Sequence, residues 1–337
     1  MNAAPSERGL ALVRTRIVGT GSYAPPQVVT NADMERIVDT SDAWIVERTG
    51  IRERRKMAPE QATSDMCLVA AQRALEQVGW KAEELDLIVI GTISPDYIFP
   101  SCATVLQGKL GAKRAVAFDV SAACAGSLFA LSTADRFIRS GGFQKALVLG
   151  SESLTKLTNY KDRNTCVLFG DGAGAILLEP TEEDRGLLST HLFTDGTQVD
   201  ILLAPGGGSR NPISHQVVDD NSATVWMNGR EVYKFAVRAL VDALQVAFKA
   251  NGVTVGQIDH MIAHQANRRI IEAVCERIDF PISKVWLNIE HYGNTSSASL
   301  PTTLDEANRA GRLKKGDLIA MMAIGGGMAW GSALVRW

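Results

Sequence analysis

Short apolar runs recur along the chain and alternate with longer amphipathic stretches. Five of these runs are predicted to be strands buried on both faces: residues 16–20, 85–91, 115–120, 146–150 and 173–178. Residues 64–78 and 125–139 instead carry apolar side chains at helical spacing, and each segment is followed by a glycine stop. Strands that alternate with helices predict a parallel-rich α/β sheet with helices covering its faces.

The order of elements in the first part of the chain appears a second time. In each part, an aspartate precedes an apolar strand, and a predicted helix follows, over residues 101–110 and 268–278. A further strand then ends just before Cys124 in the first part and just before Asn294 in the second. The spacing is similar, because 38 residues separate Asp86 from Cys124 and 35 separate Asp259 from Asn294. This repetition predicts a duplicated βα half.

The duplication divides the chain into a short N-terminal arm and two related halves. The arm covers residues 1–15, and the halves cover 16–180 and 181–337. When two related halves pack together, their corresponding strand ends lie near a common centre. We therefore expect Cys124, His264 and Asn294 to lie close together.

The uncharged segment 318–335 approaches the length of a membrane-spanning helix. It contains three consecutive glycines, which favours two buried strands joined by a turn. The N-terminal residues lack the apolar stretch of a secretory signal. The sequence thus predicts a cytoplasmic protein that does not enter a membrane.

Charge and cysteine content narrow the classes of function. The 337 residues include 35 Lys and Arg against 37 Asp and Glu, so the formal net charge of -2 argues against a globally basic nucleic-acid binder. A small basic patch remains compatible with this balance. The five cysteines are widely scattered and include no CxxC pair, a pattern that fits neither a disulfide framework nor a zinc cluster. It indicates a reducing compartment.

A glycine-rich segment resembles a dinucleotide-binding motif in spacing only. Residues 19–24 match G-x-G-x-x-A after a predicted strand, but two prolines follow where the motif requires a helix. No acidic residue stands on a second strand at the distance expected for ribose binding. The glycines are better explained by close backbone packing or by turns with positive φ.

Cys124 has the setting of a nucleophile. It lies where a strand ends and a helix of small residues begins. A helix N-terminus favours a thiolate, so we expect a lowered thiol pKa, and small neighbours would let a substrate reach the sulfur. The alternative is a buried structural cysteine, which is the default for the other four.

His264 and Asn294 also stand at strand ends where a loop opens. A cysteine with a histidine and an asparagine can serve as a nucleophile with two polarising hydrogen-bond groups. His260 and His264 have the spacing of metal ligands, but they lie on a predicted strand and no third ligand accompanies them. No metal site is predicted.

Five ordered motifs together resemble one known family. They cover residues 40–54, 119–127, 264–267, 292–296 and 325–333. With these motifs the chain resembles β-ketoacyl-acyl-carrier-protein synthase III of the thiolase-like superfamily, from about residue 16 to residue 337. The resemblance implies a thiolase-like α/β fold, with two duplicated βα halves in a layered α-β-α-β-α architecture.

The resemblance also implies a reaction, the initiating condensation of type II fatty-acid synthesis. Acetyl-CoA or another short acyl-CoA would acylate Cys124 and release CoA, so that coenzyme A enters as a substrate and no cofactor is required. Malonyl-acyl-carrier-protein would then lose CO2, and its enolate would attack the acyl-cysteine. His264 and Asn294 would donate hydrogen bonds to the malonyl thioester carbonyl, and the backbone amides of Cys124 and Gly326 would form the oxyanion hole.

Further roles follow from the same resemblance. Trp44 and Arg163 would sandwich the adenine of CoA, and Arg48 would approach its phosphates. Asn267, grouped with the CoA-binding residues, would order the active-site hydrogen bonds. Phe99 would form part of the acyl pocket across the interface of a homodimer.

Docking of the acidic carrier protein calls for a local basic face. Arg269 matches the docking arginine of the family. Arg268 is its neighbour, although it stands where the family more often has an apolar residue. Both are candidates for the docking surface.

Two alternatives keep the fold but change the function. One is a related acyltransferase, either a starter-unit enzyme of a secondary-metabolite pathway or a head-to-head acyl condenser. The other is a catalytically silent subunit that only binds acyl carriers. The complete set of Cys124, His264 and Asn294 favours an active enzyme, and the Arg269 and CoA motifs favour the initiating synthase.

Overall fold

The computed structural model describes residues 14–337. The strands before residue 182 are β1 Arg14–Tyr23, β2 Gln27–Thr30, β3 Glu53–Lys56, β4 Leu87–Gly91, β5 Val116–Val120, β6 Ala146–Ser153 and β7 Asp171–Thr181. The helices of the same part are α1 Asn31–Glu35, α2 Asp42–Thr49, α3 Thr63–Val78, α4 Cys102–Leu110, α5 Gly126–Arg139 and α6 Arg163–Cys166.

The second part repeats the main elements. Its strands are β8 Gly186–Thr194, β9 Leu202–Leu203, β10 Trp226–Met227, β11 His260–Ala263, β12 Leu318–Gly325 and β13 Ala329–Arg336. Its helices are α7 His215–Asp219, α8 Gly229–Ala250, α9 Arg268–Arg277, α10 Ile289–Tyr292 and α11 Ser299–Arg309.

The two main sheets have the same strand order. The first runs β1-β7-β6-β4-β5, and the second runs β8-β13-β12-β11 in the corresponding direction. Because β1 corresponds to β8, β7 to β13, β6 to β12 and β4 to β11, the sheets repeat one topology.

The expected parallel-rich sheet is wrong in part, because both sheets are mixed. Strands β6, β4 and β5 are parallel, as are β11 and β12, but the remaining pairs are antiparallel. The physical reason is plain for β12 and β13. Only three residues join these strands, and so short a connection forms an antiparallel hairpin, whereas a parallel pair needs a long crossover.

The central strands β4, β6 and β12 are buried on both faces, and their side chains alternate between two cores. In β4, Leu87 and Val89 face the middle of the molecule, whereas Ile88 and Ile90 face the outer helices. Helices α5 and α11 fill the space between the sheets. Helices α3 and α4 cover the outside of the first sheet, and α8 and α9 cover the outside of the second. These five layers confirm the expected α-β-α-β-α architecture.

The predicted helices are present with small shifts of their ends. Helix α3 ends as expected before Gly79, whose φ of 69° is the left-handed C-cap that glycine adopts without strain. Helix α4 begins after Ser101, whose hydroxyl accepts from the backbone amide of Thr104 and caps the helix.

Two expected strands differ from the prediction. Strand β5 is an edge strand with a single neighbour, so Val116 is 50% exposed instead of buried. No regular strand lies between the end of α9 and Asn294. After α9 the backbone makes only an isolated parallel bridge between Met261 and Val285, and α10 then carries it away from the sheet. The carbonyl of Glu290 in α10 accepts from the amide of Arg52 next to β3, which holds the segment there.

Strands β1, β7 and β8 lie near the expected boundaries of the arm and the halves. Strand β1 begins at Arg14, two residues before the expected start of the first half, and residues 1–13 of the expected arm lie outside the described residues. Strand β7 of the first sheet ends at Thr181, and β8 of the second begins at Gly186. The junction between the sheets is therefore the turn 182–185.

The uncharged segment near the end forms the hairpin of β12 and β13, as predicted. Within residues 14–337, no helix has the length and apolar character needed to cross a membrane.

The glycines of residues 19–24 lie in β1 and pack against α3. A Cβ at Gly21 would lie 2.3 Å from the carbonyl oxygen of Ala70. Close backbone packing therefore explains these glycines, as the sequence predicted, and no helix opens after them.

Candidate active site

A cavity of about 1370 Å³ lies between the two halves and is lined by residues of both. Cys124, His264, Asn294 and Gly326 all line it. Cys124 lies in a single helical turn between β5 and α5, and His264 directly follows β11. Asn294 lies between α10 and α11. The structure thus brings together the three side chains that the sequence analysis singled out.

The backbone at Cys124 is strained and closely packed. Ala123 has a φ of 45°, which is unfavourable for a residue with a Cβ and is typical of tight functional turns. The end of β12 presses against this turn, since a Cβ at Gly325 would lie 2.3 Å from the amide nitrogen of Cys124. Only a glycine lets β12 approach so closely. The turn points Cys124 into the cavity.

The thiol of Cys124 is held in its neutral form. Burial raises its pKa to about 11, although the hydroxyl of Ser296 and the backbone amides of Cys124 and Gly326 face the sulfur and favour the thiolate. The expectation of a lowered pKa is therefore wrong for the free protein. Desolvation of the charged sulfur outweighs the hydrogen-bond donors around it. A proton must leave Cys124 when it acts as a nucleophile.

The two amides expected in the oxyanion hole, those of Cys124 and Gly326, both face the sulfur. They come from two turns that pack against each other, one after β5 and one after β12. A carbonyl carbon bonded to the sulfur would bring its oxygen close to these donors.

His264 is buried and neutral. Burial lowers its pKa to about 3, so the imidazole carries no charge at neutral pH. Its Nδ1 lies 2.6 Å from the hydroxyl oxygen of Ser299. Its Nε2 has no hydrogen-bond partner in the described part of the chain. An unpartnered polar atom at a cavity wall is available to a ligand.

The proton on the imidazole of His264 depends on Ser299. The Ser299 hydroxyl lies within reach of Nδ1 and also of the Ser296 carbonyl oxygen, at 2.8 Å, while the amide of Gln265 donates to it. If the hydroxyl donates to Nδ1, then Nε2 carries the proton and can donate into the cavity. If the hydroxyl donates to Ser296, Nδ1 carries the proton instead.

Asn294 is oriented by its own turn. Its side-chain oxygen accepts from the backbone amide of Ser296 at 2.8 Å. Because a backbone amide only donates, this contact fixes which end of the side chain is the oxygen. Its backbone is anchored to the first half, since its amide donates to the carbonyl of Leu168 and its carbonyl accepts from Gly170. The side-chain NH2 remains the group that can donate to a ligand.

The mouth of the cavity carries an aromatic ring between basic side chains. The guanidinium of Arg48 lies 4.9 Å from the centre of the Trp44 indole, and that of Arg163 lies 5.3 Å from it. Trp44 and Arg48 line the cavity, whereas Arg163 does not. Arg163 instead donates to the carbonyl of Asp39 at 3.0 Å. It already lies against the indole, so a base can enter between the two groups only if Arg163 moves.

Asn267 and the two arginines after it have different surroundings. Asn267 lines the cavity, caps α9 through the amide of Arg269, and donates to the carbonyl of Arg48 at 2.9 Å. It thus ties α9 to α2 and makes no hydrogen bond to His264 or Asn294. Arg269 lines the cavity. Arg268 lies outside it and pairs with Glu272 at 2.7 Å.

Phe99 does not line the cavity of its own chain. Its side chain is 85% exposed and lies next to Ile98, which is 91% exposed. The structure therefore does not bring Phe99 to the site within one chain. Apolar residues from several elements line the cavity instead: Ile93, Leu154, Leu157, Val167, Leu168, Phe169, Leu202, Val225 and Met227.

Glu152 was missed by the sequence analysis. It lies at the end of β6, fully buried, and accepts hydrogen bonds from Ser94, Ser296 and Ser297. The sequence does carry a signal, because a charged residue directly continues an apolar strand that is buried on both faces. The predicted strand ends at residue 150 and therefore excludes Glu152.

Metal ligands are not clustered in the described residues. No group of three or more His, Cys, Asp or Glu within residues 14–337 has the geometry to hold a metal ion. Cys67, Cys102, Cys166 and Cys275 are buried and free, and Cys124 is the partly exposed one.

Comparisons with known proteins identify the family of the chain. A family model described as 3-oxoacyl-(acyl-carrier-protein) synthase III matches residues 118–196, and the model of its C-terminal part matches residues 248–337. The β-ketoacyl-(acyl-carrier-protein) synthase III of Desulfitobacterium hafniense is 48% identical over 326 residues, which is 97% of this chain and 98% of that protein.

Solved structures agree over almost the whole chain. The 3-oxoacyl-(acyl-carrier-protein) synthase III of Aquifex aeolicus has a TM-score of 0.90 and 44% identity, covering 96% of this chain and 100% of that one. A priming β-ketosynthase of a polyketide biosynthetic pathway has a TM-score of 0.89 and 34% identity, covering 99% and 98%. The OleA protein of Xanthomonas campestris, at 22% identity and a TM-score of 0.84, shares the fold alone.

Proposed function

The chain belongs to the 3-oxoacyl-(acyl-carrier-protein) synthase III family, and on this premise we propose how its cavity performs the initiating condensation of fatty-acid synthesis. The enzyme is an acyltransferase of the condensing type. One observation carries the proposal: Cys124, His264, Asn294 and the turn at Gly326 converge on a single cavity between the halves.

The first step is acylation of Cys124. A short acyl-CoA enters the cavity, the sulfur attacks the thioester carbonyl, and CoA leaves. Negative charge develops on the carbonyl oxygen, and the amides of Cys124 and Gly326, which already face the sulfur, stabilise it there. The apolar side chains that line the cavity surround the acyl group.

The second step is decarboxylation and condensation. Malonyl-acyl-carrier-protein replaces CoA and loses CO2, and the resulting enolate attacks the acyl group on Cys124. Nε2 of His264 and the side-chain NH2 of Asn294 donate to the enolate oxygen. A neutral imidazole suits this task, because it donates a hydrogen bond without having to hold a charge in a buried site. Loss of CO2 generates the carbanion, so the proposed reaction does not need a strong base to form it.

CoA binds at the basic mouth of the cavity. The charged side chains lining the cavity are Arg48, Arg230, Lys234 and Arg269, all positive, which suits a phosphate-bearing ligand. The adenine stacks on Trp44, and Arg163 swings away from the indole to close over it. Asn267 supports this end by fixing the backbone of Arg48 to the start of α9.

The carrier protein docks beside the same mouth. Arg269 is the principal contact for its acidic surface, because it reaches the cavity. Arg268 contributes at the edge of this surface, where Glu272 already offsets its charge.

Two copies of the chain form the working enzyme. Tyr97, Ile98 and Phe99 present exposed large side chains in one continuous segment, which suits an interface with another copy. Phe99 then reaches the acyl pocket of the other copy. The free cysteines of residues 14–337 fit a reducing compartment, and we place the enzyme in the cytoplasm.

A starter-unit enzyme of a secondary-metabolite pathway is the second candidate. The 34% identity to a priming β-ketosynthase supports it, but the identity to the acyl-carrier-protein synthase III relatives is higher, at 44% and 48%. A panel of acyl-CoA donors with malonyl-acyl-carrier-protein, read by product mass, separates the two. Preference for acetyl-CoA or another short acyl-CoA supports the initiating synthase.

Intact-protein mass spectrometry tests the central assignment. After mixing with acetyl-CoA we expect one acetyl adduct on the wild type and none on Cys124→Ala. His264→Ala and Asn294→Ala should still acquire the adduct but lose condensation. An adduct that persists in Cys124→Ala would refute Cys124 as the nucleophile, and normal condensation by either of the other variants would remove that residue from the site.

A further inference from the structure

Glu152 is a buried carboxyl group next to the reacting sulfur. The side chain is fully buried at the end of β6. Its donors are neutral: the amide of Ile93 and the hydroxyls of four residues, with the shortest contact, 2.5 Å, from Ser94. The other hydroxyls are those of Thr92, Ser296 and Ser297.

The absence of a cation distinguishes Glu152 from buried carboxylates with a structural partner. Asp135 and Asp305 are also buried, but each pairs with an arginine one helical turn away, Arg139 and Arg309. A buried carboxylate without such a partner is costly. Burial accordingly raises the pKa of Glu152 to about 7, so both of its protonation states are accessible near neutral pH.

The surroundings of Glu152 can serve both protonation states. The hydroxyl of Ser297 lies 3.1 Å from the carboxyl and 2.7 Å from the carbonyl oxygen of Gly91. When Glu152 is ionised, this hydroxyl can donate to it. When Glu152 is protonated, the hydroxyl can donate to Gly91 and accept the proton of Glu152. The site therefore satisfies the hydrogen bonds of either form.

Ser296 connects Glu152 to Cys124. Its hydroxyl donates to Glu152 at 3.3 Å and also faces the sulfur of Cys124. Ser296 holds this position with a φ of 51°, an unfavourable backbone conformation for a residue with a Cβ. Its amide donates to the side chain of Asn294, which fixes the turn. Thiol, hydroxyl and carboxylate thus form a short chain.

We propose that Glu152 accepts the proton of the Cys124 thiol through the hydroxyl of Ser296. The thiol proton moves to the Ser296 oxygen while the Ser296 hydroxyl proton moves to the Glu152 carboxylate. The sulfur keeps the electron pair of the S–H bond and becomes the thiolate that attacks the acyl thioester. This role rests on the proposed function of Cys124 as the nucleophile.

The proton returns in the same turnover. When the tetrahedral intermediate collapses, the carbon–sulfur bond to the leaving thiol breaks and that sulfur takes the electron pair. The leaving sulfur was bonded to the same carbon as Cys124, so it lies near Ser296. The Ser296 hydroxyl gives it a proton and is reprotonated by Glu152. The carboxylate is restored, and no co-reactant is required.

Few titratable groups face Glu152. Cys124 acts on it from the turn before α5, and their charges disfavour each other. Strand β7 opposes Glu152 with Gly172, and the neighbouring Asp171 is turned to the amides of Met57 and Thr155. The loop after β4 and the turn at Ser296 contribute the hydroxyls and the amide named above. The pH response near 7 should therefore report Glu152.

The variant Glu152→Gln separates a proton acceptor from a mere neighbouring charge. As a charge, Glu152 disfavours the thiolate, so its removal would speed alkylation of Cys124 by iodoacetamide and acylation by acetyl-CoA. As a proton acceptor, its removal should slow acylation by about 100-fold, the usual scale of general base catalysis. The two roles predict opposite signs.

We would measure the acylation rate by rapid quench and mass spectrometry between pH 5.5 and 9. The wild-type rate should rise with pH and level off above the pKa of Glu152, about 7, whereas Glu152→Gln should lose this levelling-off and keep rising, because its thiol ionises only near the higher pKa of Cys124. Ser296→Ala should show the same loss, and the double variant should be no slower than either. Asp171 is a buried carboxylate outside the chain of Cys124, Ser296 and Glu152, so Asp171→Asn should keep the wild-type pH profile of acylation.

The outcomes are distinguishable from a failure of the proposed function. An adduct on Cys124→Ala would overturn the nucleophile itself. Acylation of Cys124 in the wild type with an unchanged or faster rate in Glu152→Gln would overturn the relay alone. Additive losses in the double variant would likewise overturn it, because groups of one relay cannot act independently.

Discussion

Removal of the Ser299 hydroxyl should disable His264 without touching the nucleophile. The hydroxyl lies 2.6 Å from Nδ1 of His264, and only its donation to Nδ1 leaves the proton on Nε2. In Ser299→Ala, the backbone carbonyl of Ser296, which already lies within hydrogen-bonding reach of the His264 ring, remains as an acceptor for Nδ1. The proton then settles on Nδ1, and Nε2 presents a lone pair to the enolate oxygen.

The magnitude follows from the loss of one donor in the site. Removing a single oxyanion donor usually lowers kcat by about 100- to 1000-fold, and we expect a fall in condensation on this scale. The amide of Gln265 also loses its acceptor, since it donates to Ser299 at 3.1 Å. An unpaired buried donor costs about 1–3 kcal/mol, so a moderate loss of stability should accompany the change.

The assay measures the two half-reactions separately. Acylation by acetyl-CoA should stay close to wild type, whereas condensation with malonyl-acyl-carrier-protein should fall. Histidine ring nitrogen NMR should show the proton moving from Nε2 to Nδ1. Ser132→Ala is the matched control, because Ser132 is also a buried helical serine bonded to a hydroxyl, that of Thr190, away from the cavity. Unchanged condensation in Ser299→Ala, or an equal loss of acylation, would refute the reasoning.

Three further changes test other parts of the site. Gly325→Ala would place a Cβ 2.3 Å from the amide nitrogen of Cys124, so it should slow acylation and lower the free energy of unfolding by about 1–3 kcal/mol. A Cβ at Gly327, in the same turn, would meet no atom, so Gly327→Ala serves as the comparison despite its φ of 67°. Equal effects of the two substitutions would contradict the contact. Because burial lowers the pKa of His264 to about 3, against about 6.5 unfolded, the unfolded state binds more protons between these values. His264 should therefore cost stability as the pH falls from 6.5 towards 3, and His264→Gln should reduce this slope in chemical denaturation; an unchanged slope would argue against the buried neutral ring. Arg269→Glu should raise KM for the carrier protein more than Arg268→Glu does, because Glu272 already pairs with Arg268; the reverse order in steady-state assays would exclude Arg269 as the principal contact.

Much of the fold could be predicted from local patterns. The two-sided burial of β4 and the glycine end of α3 follow from side-chain polarity and capping, which are properties of neighbouring residues. Strand direction could not be predicted in the same way, because it depends on which strands become neighbours. The edge position of β5 and the short helix α10 in place of a strand have the same origin.

The candidate site, like the fold, could be predicted only in part from the sequence. The repeated order of elements was sufficient to predict that Cys124, His264 and Asn294 lie at one centre, although Asn294 follows the short helix α10 and not a strand. The position of Cys124 at a helix N-terminus predicted a lowered thiol pKa, which is the wrong direction. Desolvation in the folded cavity raises the pKa by more than the nearby hydrogen-bond donors lower it. Glu152 and Ser299 were missed because their importance comes from partners more than thirty residues away, Ser296 and His264.

Burial shifts the pKa of three titratable groups around the reacting sulfur, Cys124, Glu152 and His264, which together form the floor of the site. It raises the pKa of Cys124 to about 11 and that of Glu152 to about 7, and it lowers that of His264 to about 3. Each shift favours the uncharged form. The fixed charges instead lie on the basic side chains that line the cavity, such as Arg48 and Arg269, where they can meet phosphates and the carrier protein.

The position of the fixed positive charges, away from the reacting sulfur, affects catalysis. At a floor without a permanent cation, negative charge develops on the substrate oxygen during reaction, and the amides of Cys124 and Gly326 and the side chain of Asn294 are fixed dipoles directed at the cavity. Dipoles held by the backbone stabilise that charge without first having to reorient. A permanent cation at the floor would instead stabilise the resting thiolate and weaken its attack. A floor without a permanent cation therefore favours the transition state over the resting enzyme, and it requires a route for one proton.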